Sequence, residues 1–287
     1  MDKKRKEAIA AFMLLAPCAI GFFVFYILPF LISVYYSFTK GVGNVEYVGF
    51  QNFIDLFGSS SFQLAAKNTG LFMIIAVPLI MIVSLLIATL LNSKMKNMGF
   101  FRTIAILPLV IPVASVVLVW TLFFQEQGVL NGILTRFFDI EPIDWIRSEY
   151  GFYIMILLYV WKNSAYNIII FLVGLNAIPK SLYEAASIDG SSKFRSFRQI
   201  TLPLLSATTF FVFIISIINS FKVYREAYLL AGDYPAKNMY MLQHYMNNNF
   251  KNLNYQRLST AAIILLILII MLVYILLRYQ RKNEVEY

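Results

Sequence analysis

Two groups of polar residues interrupt long apolar stretches of the sequence, where polar side chains are costly and usually face a cavity or a neighbouring helix. The first group is spaced at i, i+1, i+4 and i+5 and comprises Lys162, Asn163, Tyr166 and Asn167. The second is spaced at i, i+3 and i+4 and comprises Ser216, Asn219 and Ser220. Each spacing places its group on one face of a helix. These side chains could line a path for a polar solute, or they could hydrogen-bond helices to one another.

Covalent chemistry finds little support in the other residues. With one histidine, His244, and one cysteine, Cys18, the chain cannot build an ordinary His/Cys zinc site. The apolar stretches hold no pair of acids and no Ser–His–Asp set, and away from their ends Lys162 is their one charged residue. The phosphate-binding sequence G-x-x-x-x-G-K-[ST] is absent. We therefore expect no catalytic residue, no bound metal and no bound cofactor, and we expect His244 to lie at the surface of a loop.

The apolar stretches are long enough to cross a membrane. Of the 287 residues, 60% are hydrophobic and 14% are charged, an imbalance beyond that of most soluble proteins. A helix that spans a bilayer needs about 20 mainly apolar residues. Six predicted spans reach that length: 9–36, 68–92, 103–124, 152–175, 203–222 and 259–278. We therefore predict an all-α membrane protein with a single transmembrane domain over residues 1–287, in which Asn68 and Thr69 cap the second span.

Six spans place both termini on the same side of the membrane, and the lysines and arginines indicate which side. Fourteen of them lie on the side of the termini and nine on the opposite side, where the loops are longer. Cytoplasmic loops carry the excess of positive charge, so we predict cytoplasmic termini. The first span is expected to be retained, because it is too long for the apolar part of a signal peptide. The net charge of +9 then reflects topology, and we expect no binding to nucleic acid.

The segment 176–202, between the fourth and fifth predicted spans, is polar and would lie in the cytoplasm. Ser181 and Glu184 have the spacing of a capping box, which predicts a short helix, and Gly190 stands where a left-handed residue would end it. A second short helix is predicted to follow, capped by Ser191 or Ser192. It would carry two aromatic residues three positions apart, Phe194 and Phe197. Exposed phenylalanines favour a docked partner, while a solvated connector is the alternative.

The order of residues in this loop resembles the EAA loop of binding-protein-dependent ABC importers. The match consists of Glu-Ala-Ala at 184–186, Asp-Gly at 189–190, Phe197 and Ile-x-Leu-Pro at 200–203. It departs at Ser191, where alanine is common in the family. The resemblance implies the type I ABC importer permease fold, with a cytoplasmic coupling loop that docks on a cytosolic ATPase subunit. The docking residues that it implies are Glu184, Ala185, Ala186, Asp189 and Gly190.

Further stretches resemble the permeases of carbohydrate importers, specifically the first permease of the maltose and glycerol-phosphate type. They are 29–38, 48–53, 128–131 with Trp145, and 174–179. The resemblance departs at 232–235, Gly-Asp-Tyr-Pro, where many relatives have a Gly-Gly-Pro-like turn. It implies sugar-site positions at Asn163, Tyr166, Ser216, Asn219 and Ser220. Lys162 would serve an acidic sugar or a phosphate, or its amine would extend toward the outer surface.

The resemblance implies a multi-pass permease subunit of an ATP-driven importer in a bacterial inner membrane, surrounded by lipid. Its expected partners are a second, related permease, a cytosolic ATPase dimer that uses ATP and Mg²⁺, and an extracellular binding protein that delivers a sugar, expected to be an oligosaccharide. An importer of glycerol phosphate or of a charged sugar is the alternative within the class. An ATP-independent carrier is a further alternative, although the sequence shows no pattern of intramembrane acids or glycine-broken helices.

Overall fold

The computed structural model describes residues 3–41, 45–93 and 98–284, which are predominantly helical. Lys94 and Lys96, two of the cations counted on the side of the termini, lie outside the described residues, as do both ends of the predicted single domain. The α-helices are α1 (Lys3–Phe22), α2 (Leu28–Ser37), α3 (Gln51–Gly58), α4 (Ser60–Leu91), α5 (Met98–Val110), α6 (Val113–Phe124), α7 (Val129–Phe138), α8 (Gly151–Ala177), α9 (Lys180–Ile188), α10 (Lys193–Ser196), α11 (Leu202–Leu204), α12 (Ser206–Ser220), α13 (Tyr224–Ala231), α14 (Leu242–Lys251) and α15 (Tyr255–Glu284). The other elements are the π-helical turns Phe23–Ile27 and Phe197–Thr201, the 3₁₀ turn Lys237–Met239, and the antiparallel strands β1 (Thr39–Lys40) and β2 (Glu46–Tyr47).

Six segments of the described chain are long and apolar enough to cross a membrane, which confirms the predicted number of spans. They are Ala10–Ser37, Ser60–Leu91, Val113–Phe138, Gly151–Ala177, Ser206–Ala231 and Tyr255–Arg278. A shorter apolar helix, α5, precedes the third of them. The first, fourth and sixth segments lie close to their predicted positions, and the others differ for identifiable reasons.

The third predicted span, 103–124, is not one helix. α5 ends at Val110 and α6 begins at Val113, because Ile111 and Pro112 interrupt the helix. Pro112 has an extended backbone, with φ −57° and ψ 138°, and a proline also disfavours helical geometry in the residue before it. The apolar residues on both sides concealed this break at the level of sequence.

Asn68 and Thr69 do not cap the second span, which begins earlier, at Ser60. Both side chains instead bind the loop that follows α13. Asn68 Nδ2 donates to the carbonyl oxygen of Lys237 at 2.6 Å, and Thr69 Oγ1 accepts the backbone N–H of Leu242 at 2.9 Å. Buried polar side chains need such partners, so this pair fastens the loop to the interior of α4.

The described residues form two compact units. The first contains residues from 3–63 and 245–272, and the second contains residues from 64–244 and 273–284. In the first unit, Asn52 Nδ2 donates to the carbonyl oxygens of Ser37 and Thr39 at 3.0 and 2.9 Å, which joins α3 to the end of α2. The most apolar part of the first span has no buried residue, so its surface is available to lipid or to another chain.

In the second unit, α8 forms the centre of the core. Tyr159, on its buried face, meets the ring of Phe72 with centroids 5.2 Å apart, and its hydroxyl donates to the carbonyl oxygen of Ser216 in α12 at 3.1 Å. Further along α8, a Cβ atom on Gly174 would lie only 2.6 Å from Thr208 Oγ1. The glycine therefore allows a close approach of α8 and α12, the two helices that carry the polar groups.

Asn131 holds the segment between α6 and α8 in place. It is buried, its Nδ2 donates to the carbonyl oxygens of Glu126 and Ile143 at 2.8 and 2.7 Å, and its Oδ1 accepts the indole N–H of Trp145 at 2.8 Å. The stretch 128–131 and Trp145, grouped together from the sequence, are therefore in direct contact through Asn131.

His244 is not a surface residue, which corrects the expectation from the sequence. Its side chain is fully buried, and its Nδ1 accepts the backbone N–H of Met241 at 3.2 Å. The rings of Tyr224 and Tyr240 lie against it, with centroids 5.0 and 5.8 Å away. Burial lowers the pKa of His244 to about 4, although the charge of Asp233 and a backbone hydrogen bond act in the opposite direction.

We predict that His244 makes the fold less stable in mild acid. The pKa of an unfolded histidine is about 6.5, so the unfolded chain gains a proton that the folded chain excludes as the pH falls from there toward about 4. The His244→Gln variant keeps an acceptor for the Met241 amide but does not titrate. Between about pH 7.5 and about pH 5, we expect the Tm of the wild type, measured in detergent, to fall by more than the Tm of the variant. Equal losses would show that His244 is not the group responsible.

Candidate functional site

A cavity of about 470 Å³ lies beside α8, α12 and α13 in the second unit. Its polar and charged lining comprises Tyr159, Lys162, Asn163, Tyr166, Asn219, Lys222, Arg225 and Glu226, and its apolar lining comprises Leu109, Val113, Ile215, Ile218 and Val223. The mixture of an aromatic ring, neutral amides and charged groups suits a polar solute that also has an apolar face.

Four of the seven residues predicted for a substrate path line this cavity: Lys162, Asn163, Tyr166 and Asn219. Lys162 follows the start of α8 by about three turns, roughly 17 Å along the helix axis, which is near the middle of a span. The helical spacing of the first three residues directs them to the same side of α8, and Asn219 meets them from α12.

The other three predicted residues, Asn167, Ser216 and Ser220, are buried and do not line the cavity. Asn167 Nδ2 donates to Ser216 Oγ at 2.9 Å, and Ser220 Oγ donates to the carbonyl oxygen of Ile217 at 2.6 Å. The first bond joins α8 to α12, and the second satisfies a hydroxyl within α12. For these three residues the structure shows the interhelical and local hydrogen bonding that the sequence left open as the alternative.

Sequence reasoning missed three charged residues of the cavity, Lys222, Arg225 and Glu226. It ended the fifth span at residue 222 because charges follow, whereas the structure continues the apolar segment through α13 to Ala231. The signal that could have found two of them is helical spacing. Asn219, Lys222 and Glu226 are separated by three and four residues, so they extend the polar face already recognised on α12.

Glu226 is the carboxylate of this cavity and is buried, with 7% of its side chain exposed. Burial is costly for this carboxylate, and Lys162 and Arg225 are near enough for their positive charges to offset part of that cost. A buried carboxylate without nearby positive charge would be costly, so these cations give Glu226 a reason to remain in the core. Asn163 Nδ2 donates within its own helix, to the carbonyl oxygen of Tyr159 at 2.9 Å, which leaves its side-chain oxygen available to the cavity.

The second candidate site is the loop between α8 and α12. α9 ends with the left-handed Gly190 predicted from the sequence, which has φ +75°. The N–H of Ser191 donates to the carbonyl oxygen of Ala186 at 2.8 Å, and the N–H of Gly190 donates to that of Ser187 at 3.2 Å. This pair of bonds is a Schellman motif, which closes the helix end. Ser192 then caps α10, as predicted, by accepting the N–H of Arg195 at 3.3 Å.

The predicted capping box of Ser181 and Glu184 does not form. α9 begins at Lys180, directly after Pro179, so Ser181 already lies in the first turn, and the structure gives the helix no side-chain cap. Proline at this boundary explains the difference, because its ring fixes φ in a range from which a helix starts readily. The Glu184 side chain is consequently free of any capping contact.

Most of the residues predicted to dock a partner are at the surface. Glu184, Ala185, Asp189 and Gly190 are exposed, and Ala186 is half-buried. Large apolar side chains accompany them: Ile188 is 87% exposed and Phe194 is 75% exposed, whereas Phe197 is half-buried. Exposed apolar groups beside small residues and a carboxylate form a surface that a partner protein could cover.

The loop is connected directly to the helices of the cavity. It follows α8 after Ile178 and Pro179, and it leads into α12 through the π-helical turn Phe197–Thr201 and α11. The hydroxyls of Tyr183 and Thr201 lie 2.9 Å apart, which fastens α9 to that turn. α9 is therefore connected, through the chain and through this contact, to both helices that carry the polar groups.

The comparison with protein families matches residues 98–283 to the binding-protein-dependent transport system inner membrane component. The chain is 30% identical over 237 residues to the trehalose/maltose transport system permease protein MalF of Thermococcus litoralis. That alignment covers 81% of this chain and 80% of MalF. It is 34% identical over 226 residues to the arabinooligosaccharides transport system permease protein AraP of Bacillus subtilis. That alignment covers 77% of this chain and 72% of AraP.

A solved structure shares the fold. In the crystal structure of a bacterial ABC transporter involved in the import of the acidic polysaccharide alginate, one chain superposes with a TM-score of 0.82 over 98% of both chains. The two sequences are 24% identical, so the similarity describes the architecture alone. It confirms the predicted permease fold with six spans.

We predict that Asn167 and Ser216 stabilise the fold through their mutual hydrogen bond. The Asn167→Ala and Ser216→Ala variants and their double variant form a mutant cycle, and we expect a coupling free energy of about 0.6 and at most about 1.7 kcal/mol, as for other interhelical bonds in membranes. The measurement is the free energy of unfolding, from titration with a denaturing detergent. The control is the same cycle with Asn163→Ala in place of Asn167→Ala, because Asn163 bonds within its own helix. The effects of its two substitutions on the free energy of unfolding should be additive. A coupling indistinguishable from that control would contradict the assignment.

Proposed function

The chain belongs to the family of inner membrane components of binding-protein-dependent transport systems, and from this premise we propose that it forms half of a permease through which a sugar, specifically an oligosaccharide, enters the cell. The family membership makes it a transport subunit of a carbohydrate ABC importer. The observation that carries the choice of cargo is the cavity, where Asn163, Tyr166 and Asn219 present two amides and an aromatic ring. Saccharides need such neutral hydrogen-bonding groups and a flat apolar surface.

The two relatives support this choice, since their names describe trehalose/maltose and arabinooligosaccharide transport. The cavity is only partly enclosed by this chain, and the most apolar part of the first span has no buried residue. Both features suit a chain that pairs with a second, related permease, so that two half-cavities enclose one path. An extracellular binding protein would deliver the cargo to that path.

The coupling loop is proposed to dock on a cytosolic ATPase dimer, which supplies ATP hydrolysis with its own ATP and Mg²⁺. Glu184, Ala185, Ala186, Asp189 and Gly190 form the contact, and Ile188 and Phe194 extend it. When ATP draws the two ATPases together, the loops of both permeases approach each other. Because α9 is joined to α8 and α12, the cavity walls shift and the permease opens outward. Release of the nucleotide products reverses the movement.

The location that fits this mechanism is a bacterial inner membrane with both termini and the coupling loop in the cytoplasm. Its support is the excess of lysine and arginine on that side of the predicted spans. The alternative orientation would expose the loop to the outside, where no ATP is present for a docked ATPase.

The docking proposal is tested by purification through a tag on this chain. We expect an ATPase to co-purify with the wild type and its recovery to fall at least about tenfold, or about 1.4 kcal/mol, with Glu184→Lys, because the variant reverses a charge in the contact. Ala185→Leu, which fills the space of close approach, should act in the same direction. Glu141→Lys, at another exposed glutamate, is the matched control.

Each variant is checked for an unchanged Tm, so that a loss of ATPase reports on docking. If no ATPase accompanies the wild type even with trapped ATP, the docking proposal is wrong. Transport that persists without ATP would then favour an independent carrier.

The proposed orientation is tested by labelling single cysteines. In a background with Cys18→Ala, the Glu141→Cys variant should react with a membrane-impermeant maleimide in intact cells, whereas Ser181→Cys should react only after the membrane is permeabilised. Both positions are exposed in the structure, so reactivity reports the side of the membrane. The reverse pattern would place the loop outside and contradict the proposed topology.

A further inference from the structure

The cavity beside α8, α12 and α13 carries more positive than negative charge. Its lining includes the cations Lys162, Lys222 and Arg225 and, among the described residues, a single carboxylate, Glu226. None of these four side chains forms a direct ion pair with another described residue. Lys162 and Arg225 interact with Glu226 through their charges at longer range. One carboxylate therefore faces three cations, and the cavity keeps a positive excess.

The charge of Lys162, about three turns into α8, is expensive near the middle of a membrane span. A lysine or arginine at the centre of a spanning helix costs about 2.5–3.5 kcal/mol on insertion scales, and such residues mark binding sites and transport paths. Stabilising Glu226 accounts for one positive charge. It does not account for Lys162 and Arg225 together, and Lys222 adds to the same wall.

A neutral saccharide would leave these cations without a counter-charge once the cavity closes around it. An anionic group would supply that charge and would accept charge-assisted hydrogen bonds, which are stronger than those between neutral groups. The neutral amides and the ring of Tyr166 on the same wall remain suited to hydroxyls and to a sugar face. The two kinds of lining together describe a cargo that has both features.

We propose that the cargo of this permease is an anionic saccharide, carrying a carboxylate, phosphate or sulfate group that binds to Lys162 and Arg225. Asn163, Tyr166 and Asn219 contact its neutral part. The inference rests on the proposed function, because it assigns a charge to the cargo of the same cavity. Glu226 acts as a counter-charge that keeps the empty cavity from being excessively positive.

The test uses the complete importer, with its second permease, ATPase and binding protein, in proteoliposomes. Labelled cargo is supplied as two matched pairs, trigalacturonate with maltotriose and glucose 6-phosphate with glucose. The readout is cargo taken up per ATP hydrolysed at saturating loaded binding protein, because the cavity acts after the binding protein has released its cargo. We expect uptake of an anionic member in preference to its neutral partner.

Variants of Lys162 identify the role of its charge. Lys162→Gln should lower uptake of the anionic cargo per ATP by at least about tenfold, and Lys162→Arg should keep it within about threefold, because the charge is retained. Lys67→Gln, at an exposed lysine of α4 away from the cavity, is the matched control and should equal the wild type.

A double variant separates cargo binding from simple balancing of Glu226. If Lys162 served only as the counter-charge of Glu226, combining Lys162→Gln with Glu226→Gln would restore uptake. We expect no restoration, since the cargo would still lack its cation, and restoration would overturn the proposal.

The outcomes also separate this inference from the proposed function. Preferential uptake of a neutral saccharide, unaffected by Lys162→Gln, would overturn the anionic cargo and leave sugar import intact. Coupled ATP hydrolysis without uptake of any of the four compounds would count against the proposed function itself.

Discussion

The structure depends on one constraint, that a polar group within a bilayer must find its partner inside the protein or face a cavity, because no water is available to it. α8 and α12 meet this constraint in two ways. Along their contact, Asn167 bonds to Ser216 and Tyr159 bonds to the backbone of α12. Beside that contact, further polar groups line the cavity, among them Lys162, Tyr166 and Asn219. The same pair of helices is thus held together by one part of its polar sequence and lines the cavity with the other.

The close contact of these helices also bears on how the loop that contains α9 is connected to the cavity. Gly174 permits α8 and α12 to approach near the ends that lead into this loop, and the hydroxyls of Tyr183 and Thr201 fasten α9 to the segment that follows it. The loop is thus connected at both ends to helices that pack closely against each other. A separate hinge would have allowed α9 to move while the cavity stayed unchanged.

Much of this architecture could be predicted from the sequence, because its signals are local. Apolar length gave the number of spans, and the backbone freedom of glycine gave the left-handed turn at Gly190. The failures arose where local patterns compete. Ser181 has the spacing of a cap, but Pro179 starts the helix earlier. The amide of Asn68 resembles a cap residue as well, but a loop distant in sequence provides its partners.

The candidate site was only partly visible in the sequence for a related reason. Spacing identified a polar face on each helix but could not distinguish a residue that meets another helix from a residue that lines a cavity. Asn163 and Asn167 are four residues apart on the same side of α8. Because of how the helices pack, the first lines the cavity and the second bonds to Ser216. The charges at 222–226 were assigned to a loop because hydropathy alone ends a span where charges begin. The surface position expected for His244 is wrong for a different reason: its burial near the start of α14 depends on Tyr224 and Tyr240, which pack against it in the fold.

The π-helical turn Phe197–Thr201 has a consequence for how this chain tolerates insertions and deletions. A π-helical turn contains one residue more than the α-helical hydrogen-bonding pattern, so it changes the rotation of everything that follows by about 100°. The direction in which Asn219 points is thus set by the number of residues between α9 and α12 as well as by their identity. Removing a single residue there would turn the cavity face of α12 away from α8 without altering any side chain of the cavity. The length of this short connection is therefore constrained as strictly as the composition of the site that it orients.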